Sequence, residues 1–183
     1  MTILDPYKFK HLGLGVYLID TQAFEDYRGY FMEGYNKDVF AKNGINATFE
    51  QYNVSLSKKG TLRGLHYQKE PYGQAKMFRC VQGEIFDACV DVRRGSKTFG
   101  QCVTATYSAK DKKMMFVPKG FANSILTTSE EDAIVVYMVE GYHVSEAETG
   151  LRWDDPDLAI NWPVKPTLLS KKDQSWPLLK DIG

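Results

Sequence analysis

Residues 84–92 read EIFDACVDV and carry the clearest structural signal in the chain. Odd- and even-numbered positions alternate through this stretch with the period of two that is typical of a β-strand. Turn signals stand on both sides, QG at 82–83 and RRGS at 93–96. The stretch therefore predicts a strand bounded by two turns.

Short runs of the same kind recur along the chain. They cover residues 15–21, 29–35, 61–68, 76–81, 101–107, 113–117 and 133–142. Many short strands at this spacing are typical of an antiparallel sandwich or barrel. Helix is sparse. Asn36 is predicted to cap a two-turn helix that ends at Gly44, and a second short helix is predicted to begin at Ser170. The predicted fold class is mainly β.

The length of the chain predicts one domain, and its balanced charge predicts no general affinity for nucleic acid. The chain has 183 residues, with 23 Lys and Arg against 23 Asp and Glu. At roughly 100–200 residues per domain, residues 1–183 form a single predicted domain. The balanced charge gives no electrostatic reason to bind nucleic acid or a membrane surface. No apolar run is long enough to cross a membrane, and the first 13 residues lack a signal core, so a cytoplasmic location is expected.

Cysteine and histidine usage argues against disulfides and metals. Cys80, Cys89 and Cys102 are odd in number and lie within apolar runs, which predicts reduced, packed thiols. The three histidines are scattered, without a His-x-His or Cys-x-x-Cys pair to begin a metal site. No metal or cofactor is predicted.

Several residues are candidates for chemistry, each with an ordinary structural alternative. His66, in the strand RGLHYQ, is a candidate general base because an unperturbed imidazole titrates near neutrality. The strand alone favours a histidine that is hydrogen-bonded within the sheet. Asp173 fits a helix-capping pattern that starts at Ser170. Asp87 and Asp91 share one face, which is either solvated or buried with partners.

Six motifs occur in chain order, and together they are highly specific. They are TLRGLHYQ (61–68), QAK (74–76), FDACVD (86–91), GFAN (120–123), RWDDP (152–156) and LSKKD (169–173). In this combination the chain closely resembles the dTDP-4-dehydrorhamnose 3,5-epimerase family. The resemblance covers about residues 13–180, which is nearly the whole chain.

The resemblance implies a fold, an assembly and an activity. The expected fold is a cupin-type antiparallel jelly-roll barrel with a few short helices, usually a homodimer that exchanges N-terminal strands. The expected activity inverts carbons 3 and 5, next to the ketone of a nucleotide-diphospho-4-keto-6-deoxy sugar, without metal or redox cofactor.

The resemblance also implies site residues. His66 is the implied base, Asp173 its partner, Tyr137 the second catalytic group and Lys76 a cation beside the ketone. The implied nucleotide and sugar contacts are Arg28, Phe31, Glu33, Gln51, Asn53 and Arg63. The partner subunit is expected to supply some of them. Without the resemblance, Arg28 and Glu33 are interpreted as surface charges on a half-buried strand.

Two positions depart from the family pattern. Asn123 stands where the family usually has the His of GFAHG, and Met138 follows Tyr137 where a Lys is common. Asn donates a hydrogen bond but carries no charge at neutral pH. We therefore predict that Asn123 assists at the ketone oxygen, and that the best substrate differs from dTDP-4-keto-6-deoxyglucose.

Four alternatives remain open at this point. Two concern the reaction within the epimerase class: inversion at carbon 3 only, and a GDP-linked 4-keto-heptose as substrate. A third is a non-catalytic cupin that binds nucleotide sugars. The fourth, a cupin ketoisomerase or metal-dependent oxygenase, is disfavoured by the few histidines.

Overall fold

The structure, a computed structural model, describes residues 6–182, and most of its regular secondary structure is strand. The strands are β1 (Tyr7–Gly13), β2 (Val16–Thr21), β3 (Phe24–Asp26), β4 (Gly29–Phe31), β5 (Phe49–Ser57), β6 (Leu62–Gln68), β7 (Lys76–Gln82), β8 (Glu84–Asp91), β9 (Cys102–Ser108), β10 (Lys113–Val117), β11 (Phe121–Thr127), β12 (Ala133–Glu140) and β13 (Glu148–Gly150). The helices are α1 (Lys37–Lys42), α2 (Lys171–Gln174) and a 3-10 turn at Leu179–Asp181. Within residues 6–182, no helix has the length and apolar character that a membrane crossing requires.

Two antiparallel sheets face each other. One has the strand order β1-β2-β10-β7-β12-β5 and the other β13-β6-β11-β8-β9, while β3 and β4 form a separate hairpin. The main core lies between the sheets and takes buried side chains from both, for example Phe78 from the first and Tyr107 from the second. This confirms the predicted mainly β, antiparallel jelly-roll architecture.

Several predicted strands coincide closely with the structure. The run 113–117 coincides with β10, and the run 84–92 corresponds to β8. The run 29–35 was predicted too long, because β4 ends at Phe31 in an exposed hairpin, where it pairs with β3. Strands β1, β3, β5, β11 and β13 were not predicted.

Both predicted helices are present with their caps. The Asn36 side chain accepts a hydrogen bond from the backbone N–H of Val39 at 3.3 Å, and Gly44 follows α1 with φ of +87°. These are the usual start and stop of a short helix.

The face of β8 that carries Asp87 and Asp91 points into the protein. Both side chains are fully buried, so the interpretation as a solvated face is wrong. The carboxylate of Asp91 accepts hydrogen bonds from Arg93, Ser96 and Thr98, which compensates its burial. Asp87 has weaker partners, described below.

The cysteines agree with the prediction of reduced thiols. All three are free, Cys80 and Cys89 are buried, and Cys102 is partly buried.

Gly64 allows β6 to lie unusually close to β11. Its φ is +126°, and a Cβ at this position would stand 2.6 Å from the backbone oxygen of Asn123 and from the Cα of Ser124. Only glycine fits such an approach. The register then places His66 directly opposite Asn123.

Candidate active site

His66 and Asp173 form a hydrogen-bonded pair at the mouth of the space between the sheets. Nε2 of His66 is hydrogen-bonded to Oδ1 of Asp173, and the imidazole packs edge-on against the indole of Trp176. Because the carboxylate accepts at Nε2, the neutral ring keeps its proton there and its lone pair on Nδ1. The arrangement can present a base to a ligand.

The same Asp173 belongs to the cap of α2. Ser170 Oγ accepts from the backbone N–H of Asp173 at 3.0 Å and donates to Oδ2 of that residue at 2.8 Å. The capping interpretation and the pairing with His66 therefore both hold. Burial alone would raise the pKa of Asp173, but the hydrogen bond with His66, the positive charge of that ring and the hydrogen bond with Ser170 outweigh it and hold the pKa below the ordinary value.

Lys76 and Asn123 connect the two sheets across the cleft. Nζ of Lys76, on β7, donates to Oδ1 of Asn123, on β11, at 3.0 Å. Burial lowers the pKa of Lys76 to about 8, although Asp87, Cys89 and Glu148 act against this shift. The ammonium is therefore charged at neutral pH and poorly solvated, which makes it a strong donor to a developing oxyanion.

Tyr137 lies on β12 directly opposite Asn53 of β5. Burial raises the pKa of its phenol, while the positive charge of Arg63 and a hydrogen bond with Asn53 act against the shift. Nε2 of Gln51 donates to Oδ1 of Asn53 at 2.9 Å and thereby orients it. Tyr137 remains protonated at neutral pH and is able to give a proton.

Two adjoining cavities make up one cleft. The smaller, of about 290 Å³, is lined by Arg63 and Asp173 among others, and the larger, of about 480 Å³, by Gln51 and Asn53. The residues that line both are His66, Lys76, Tyr137 and Glu148. The cleft thus brings together an imidazole paired with a carboxylate, a protonated phenol and a cation.

An ion cluster at the cleft was not found from the sequence. Oε2 of Glu148 accepts from Lys172 Nζ at 2.6 Å and lies 3.1 Å from His143 Nε2. Lys172 directly precedes Asp173, so the LSKKD motif contained a signal for it. Glu148 had none, because its place depends on the pairing of β13 with β6.

Of the predicted substrate contacts, the structure places some in the cleft and some elsewhere. Arg63 lines the smaller cavity and donates from Nε to Ser57 Oγ at 2.9 Å. Arg28 pairs with Asp26 on the exposed β3–β4 hairpin, and Phe31 on β4 is 72% exposed. Neither lines the cleft of its own chain.

Glu33 also lies outside the cleft of its own chain. Oε1 of its carboxylate accepts from the hydroxyl of Tyr7 at 3.0 Å. The roles predicted for Arg28, Phe31 and Glu33 stay predictions. Across residues 6–182, no three His, Cys, Asp or Glu side chains are grouped to hold a metal ion.

Comparison with known proteins identifies the family. The model of the family described as dTDP-4-dehydrorhamnose 3,5-epimerase matches residues 14–181. A relative of that name from Shigella flexneri is 45% identical over 159 residues, which are 86% of this chain and 87% of the relative. The chain belongs to the dTDP-4-dehydrorhamnose 3,5-epimerase family.

Structural similarity leads to the same family. The crystal structure of dTDP-6-deoxy-D-glucose-3,5-epimerase from Legionella pneumophila, in complex with dTDP-4-keto-L-rhamnose, is similar with a TM-score of 0.91 and 36% identity. The similarity covers 97% of this chain and 95% of that one. A dTDP-4-dehydrorhamnose 3-epimerase from Streptomyces niveus is 35% identical over 176 residues, covering 95% of this chain and 84% of the relative.

Membership in the dTDP-4-dehydrorhamnose 3,5-epimerase family agrees with the predicted fold and enzyme class. The chain is an isomerase of the carbohydrate-epimerase class with a cupin-type jelly roll. The names of the three proteins described above specify dTDP or deoxy-sugar chemistry, and none of the three specifies a GDP sugar.

Proposed function

We propose that this protein epimerises a nucleotide-diphospho-4-keto-6-deoxy sugar at carbons 3 and 5, as a dTDP-4-dehydrorhamnose 3,5-epimerase does. The observation that carries the proposal is the convergence, on one cleft, of His66 paired with Asp173, the Tyr137 phenol, and Lys76 bonded to Asn123. The names of the relatives support dTDP as the nucleotide.

The first half of the reaction is proton removal next to the ketone. Nδ1 of His66 takes the proton, and the electron pair of the broken C–H bond moves into the ring to give an enolate at the C4 oxygen. Asp173 stabilises the imidazolium that forms. Lys76 and the amide N–H of Asn123 donate to the enolate oxygen, where a preorganised donor is worth most.

The second half returns a proton from the opposite face. The Tyr137 hydroxyl gives its proton to the carbon, the enolate becomes a ketone again, and the configuration is inverted. Exchange with solvent then restores the phenol and neutral His66. Inversion at the second carbon follows the same two steps from the same groups.

No metal or redox cofactor enters these steps. The proton changes place, no net oxidation occurs, and Lys76 with Asn123 supplies the stabilisation of the oxyanion. Metal independence is tested by dialysis against a chelator, and activity that is abolished by the chelator and restored by a divalent ion would contradict it.

Substrate identity is tested with a panel. The purified protein is incubated in deuterated water with dTDP-4-keto-6-deoxyglucose, its GDP- and UDP-linked analogues, and a GDP-linked 4-keto-heptose. Mass spectrometry counts the deuterons incorporated, and NMR locates them. The expectation from Asn123 that another substrate is preferred remains a prediction, and efficient turnover of dTDP-4-keto-6-deoxyglucose at both carbons would contradict it.

The same experiment separates the second candidate, epimerisation at carbon 3 only. The Streptomyces niveus relative, named a 3-epimerase, shows that both names occur among similar chains. Two inverted carbons support the 3,5-epimerase, and one supports the alternative. Binding without any deuterium incorporation would identify a non-catalytic nucleotide-sugar-binding protein instead.

We further propose that the protein is a homodimer with exchanged N-terminal strands, and that it is cytoplasmic. Strand β5 is an edge strand, and its outward side chains Tyr52, Val54 and Leu56 are all more than half exposed. A second copy would cover this apolar row. It would also carry the hairpin with Arg28 and Phe31 to a neighbouring cleft, which explains their position outside their own.

The assembly is tested by sedimentation at micromolar concentration. We expect a dimer for the protein and dissociation for Val54→Asp. Val164→Asp, at an exposed valine outside this row, is the control and should sediment as a dimer. A monomeric parent protein would contradict the proposal. Cell fractionation tests the location.

A further inference from the structure

Asp87 is a fully buried carboxylate behind the cleft, and the reaction described above does not use it. It projects from β8 into the core between the sheets. Among residues 6–182, its oxygens have two weak donors: Cys89 Sγ lies 3.5 Å from Oδ1, and the Tyr107 hydroxyl lies 3.4 Å from Oδ2. A good O–H···O hydrogen bond is about 2.7 Å long. A carboxylate buried with so little support is costly and requires an explanation.

The sheet register leads from Asp87 to the cleft. Cys89 stands two residues along β8, on the same face as Asp87, and it pairs in register with Asn123 of β11. Asn123 in turn accepts the hydrogen bond of Lys76. Asp87 therefore lies in the core between the sheets, two residues along β8 from the position opposite Asn123, and it pairs in register with Ile125.

The charges of Asp87 and Lys76 affect each other. Among the groups that favour the charged form of Lys76, Asp87 acts most strongly, followed by Cys89 and Glu148. In return, burial raises the pKa of Asp87 to about 7, while Cys89, Tyr107 and Lys76 counteract this rise. The two buried groups therefore each favour the charged form of the other.

We propose that Asp87 is a positioning residue whose buried carboxylate keeps the Lys76 ammonium charged and directed at the cleft. The inference rests on the proposed function, because it assigns to Lys76 the role of donor to the enolate oxygen. Packing does not explain why an aspartate is buried here, because an apolar side chain would fill the same space at a lower cost in free energy.

Other titratable groups lie near the pair, among them Tyr137 from β12 and Arg63 from β6, which line the same cavity as Lys76. Cys89 faces the pair from β8 and Tyr107 from β9, while Cys102 lies on the opposite face of β9. Burial raises the pKa of all three groups. These groups stay neutral near pH 7 to 8. Glu148, from β13, is compensated by Lys172 and His143. His66, from β6, shares the cleft and is paired with Asp173. Asp87 is thus the anion that remains to balance Lys76.

The test is a direct titration of Lys76 in the intact protein. Lysine labelled with carbon-13 at Cε reports the charge of Nζ by NMR, and Lys76→Arg assigns the signal. An opposite charge nearby shifts a pKa by about 1–3 units. We therefore expect Lys76 to titrate near pH 8 in the parent protein and about one unit lower or more in Asp87→Asn.

Asp91→Asn is the matched control, because Asp91 is equally buried on the same strand but is neutralised by its own partners. The pKa of Lys76 should therefore be the same in Asp91→Asn as in the parent protein. Tyr107→Phe removes one donor from Asp87 and should produce a smaller shift in the same direction. This variant keeps the aromatic ring, so it tests the proposal even if Asp87→Asn does not fold.

Turnover gives the second measurement. The alkaline limb of the kcat/KM profile should move to lower pH in Asp87→Asn by the same amount as the Lys76 titration. An unchanged titration in Asp87→Asn overturns the proposal, as does a shifted titration with an unmoved alkaline limb. The titration needs no substrate. A parent protein that is inactive on the whole panel would therefore contradict the proposed function, while the titration would still decide whether Asp87 controls Lys76.

Discussion

Two hydrogen bonds join Ser170 and Asp173 across the first turn of α2. The Ser170 hydroxyl accepts from the backbone N–H of Asp173 and donates to the Asp173 carboxylate. The four-residue helix α2 is too short to be stable by itself, so this cap is a large part of what keeps it formed. The orientation of the acid beside His66 thus depends on a local folding motif.

Ser170→Ala should therefore reduce both stability and turnover. Loss of the cap costs about 1 kcal/mol in free energy of unfolding. Loss of a hydrogen bond to a charged group costs about 1.5–3 kcal/mol, so kcat should fall roughly tenfold or more with little change in KM. Ser170→Thr keeps the hydroxyl and should retain activity. Equal kcat values for Ser170→Ala and Ser170→Thr would show that the cap does not position Asp173 beside His66.

His66→Ala should abolish proton abstraction. A positioned general base contributes roughly 10²–10⁴ in rate, and deuterium incorporation into the substrate should fall by that factor. His11→Ala, on β1, removes a histidine outside the cleft and serves as control. Near-normal exchange in His66→Ala would assign the base elsewhere.

Tyr137→Phe should separate exchange from inversion. His66 can still remove the proton and return a solvent deuteron to the same face, but the donor on the opposite face is lost. We expect deuterium in the recovered substrate with its configuration retained, measured by mass spectrometry and NMR. Tyr17→Phe, outside the cleft, is the control. Inverted product from Tyr137→Phe at the normal rate would contradict the role.

Asn123→Ala should lower turnover about 10²-fold, the typical value of one oxyanion donor. It also removes the acceptor of the Lys76 hydrogen bond. Asn123→His restores the residue usual in the family and should change the order of preference in the substrate panel. Full activity of Asn123→Ala would remove Asn123 from the mechanism.

Asp91→Asn should destabilise the fold in a pH-dependent manner. Burial alone would raise the pKa of Asp91, but hydrogen bonds from Arg93, Thr98 and Ser96 hold it well below the ordinary value of 3.8. Its stabilisation is therefore complete above about pH 4 and is lost as the pH falls toward the folded-state pKa. We expect a loss of about 1–3 kcal/mol at pH 7, which shrinks in acid denaturation measured below pH 4. A difference that is constant with pH would contradict this account.

How much of this molecule could be predicted from its sequence depends on how local each signal is. The strand 113–117 and the caps at Asn36 and Ser170 follow from neighbours along the chain, and the structure confirms them. The pairing of His66 with Asp173 spans 107 positions and was accessible only through family resemblance.

Other features of the structure could not be predicted from local sequence patterns. Strand β11 is buried at every position, so it shows no alternation to detect. The three-residue strand β13 exists because β6 pairs with it, and Glu148 reaches the cleft through that pairing. The alternation in β8 shows which residues share a face, but it does not show which face is buried. Whether Asp87 faced solvent or the core depended on what packed against β8.

The two glycines beside His66 restrict how this cleft can be altered. A Cβ on Gly64 would collide with the backbone of β11, and one on Gly150 would stand 2.2 Å from the backbone oxygen of Leu65. Strand β6 is thus fixed between its neighbours. Attempts to evolve new sugar preferences by randomising the cleft should leave both glycines untouched and vary the rim at His143 and Lys172. Both side chains are about half exposed, so a change there alters the pairing with Glu148 and leaves the close contacts between the strands in place.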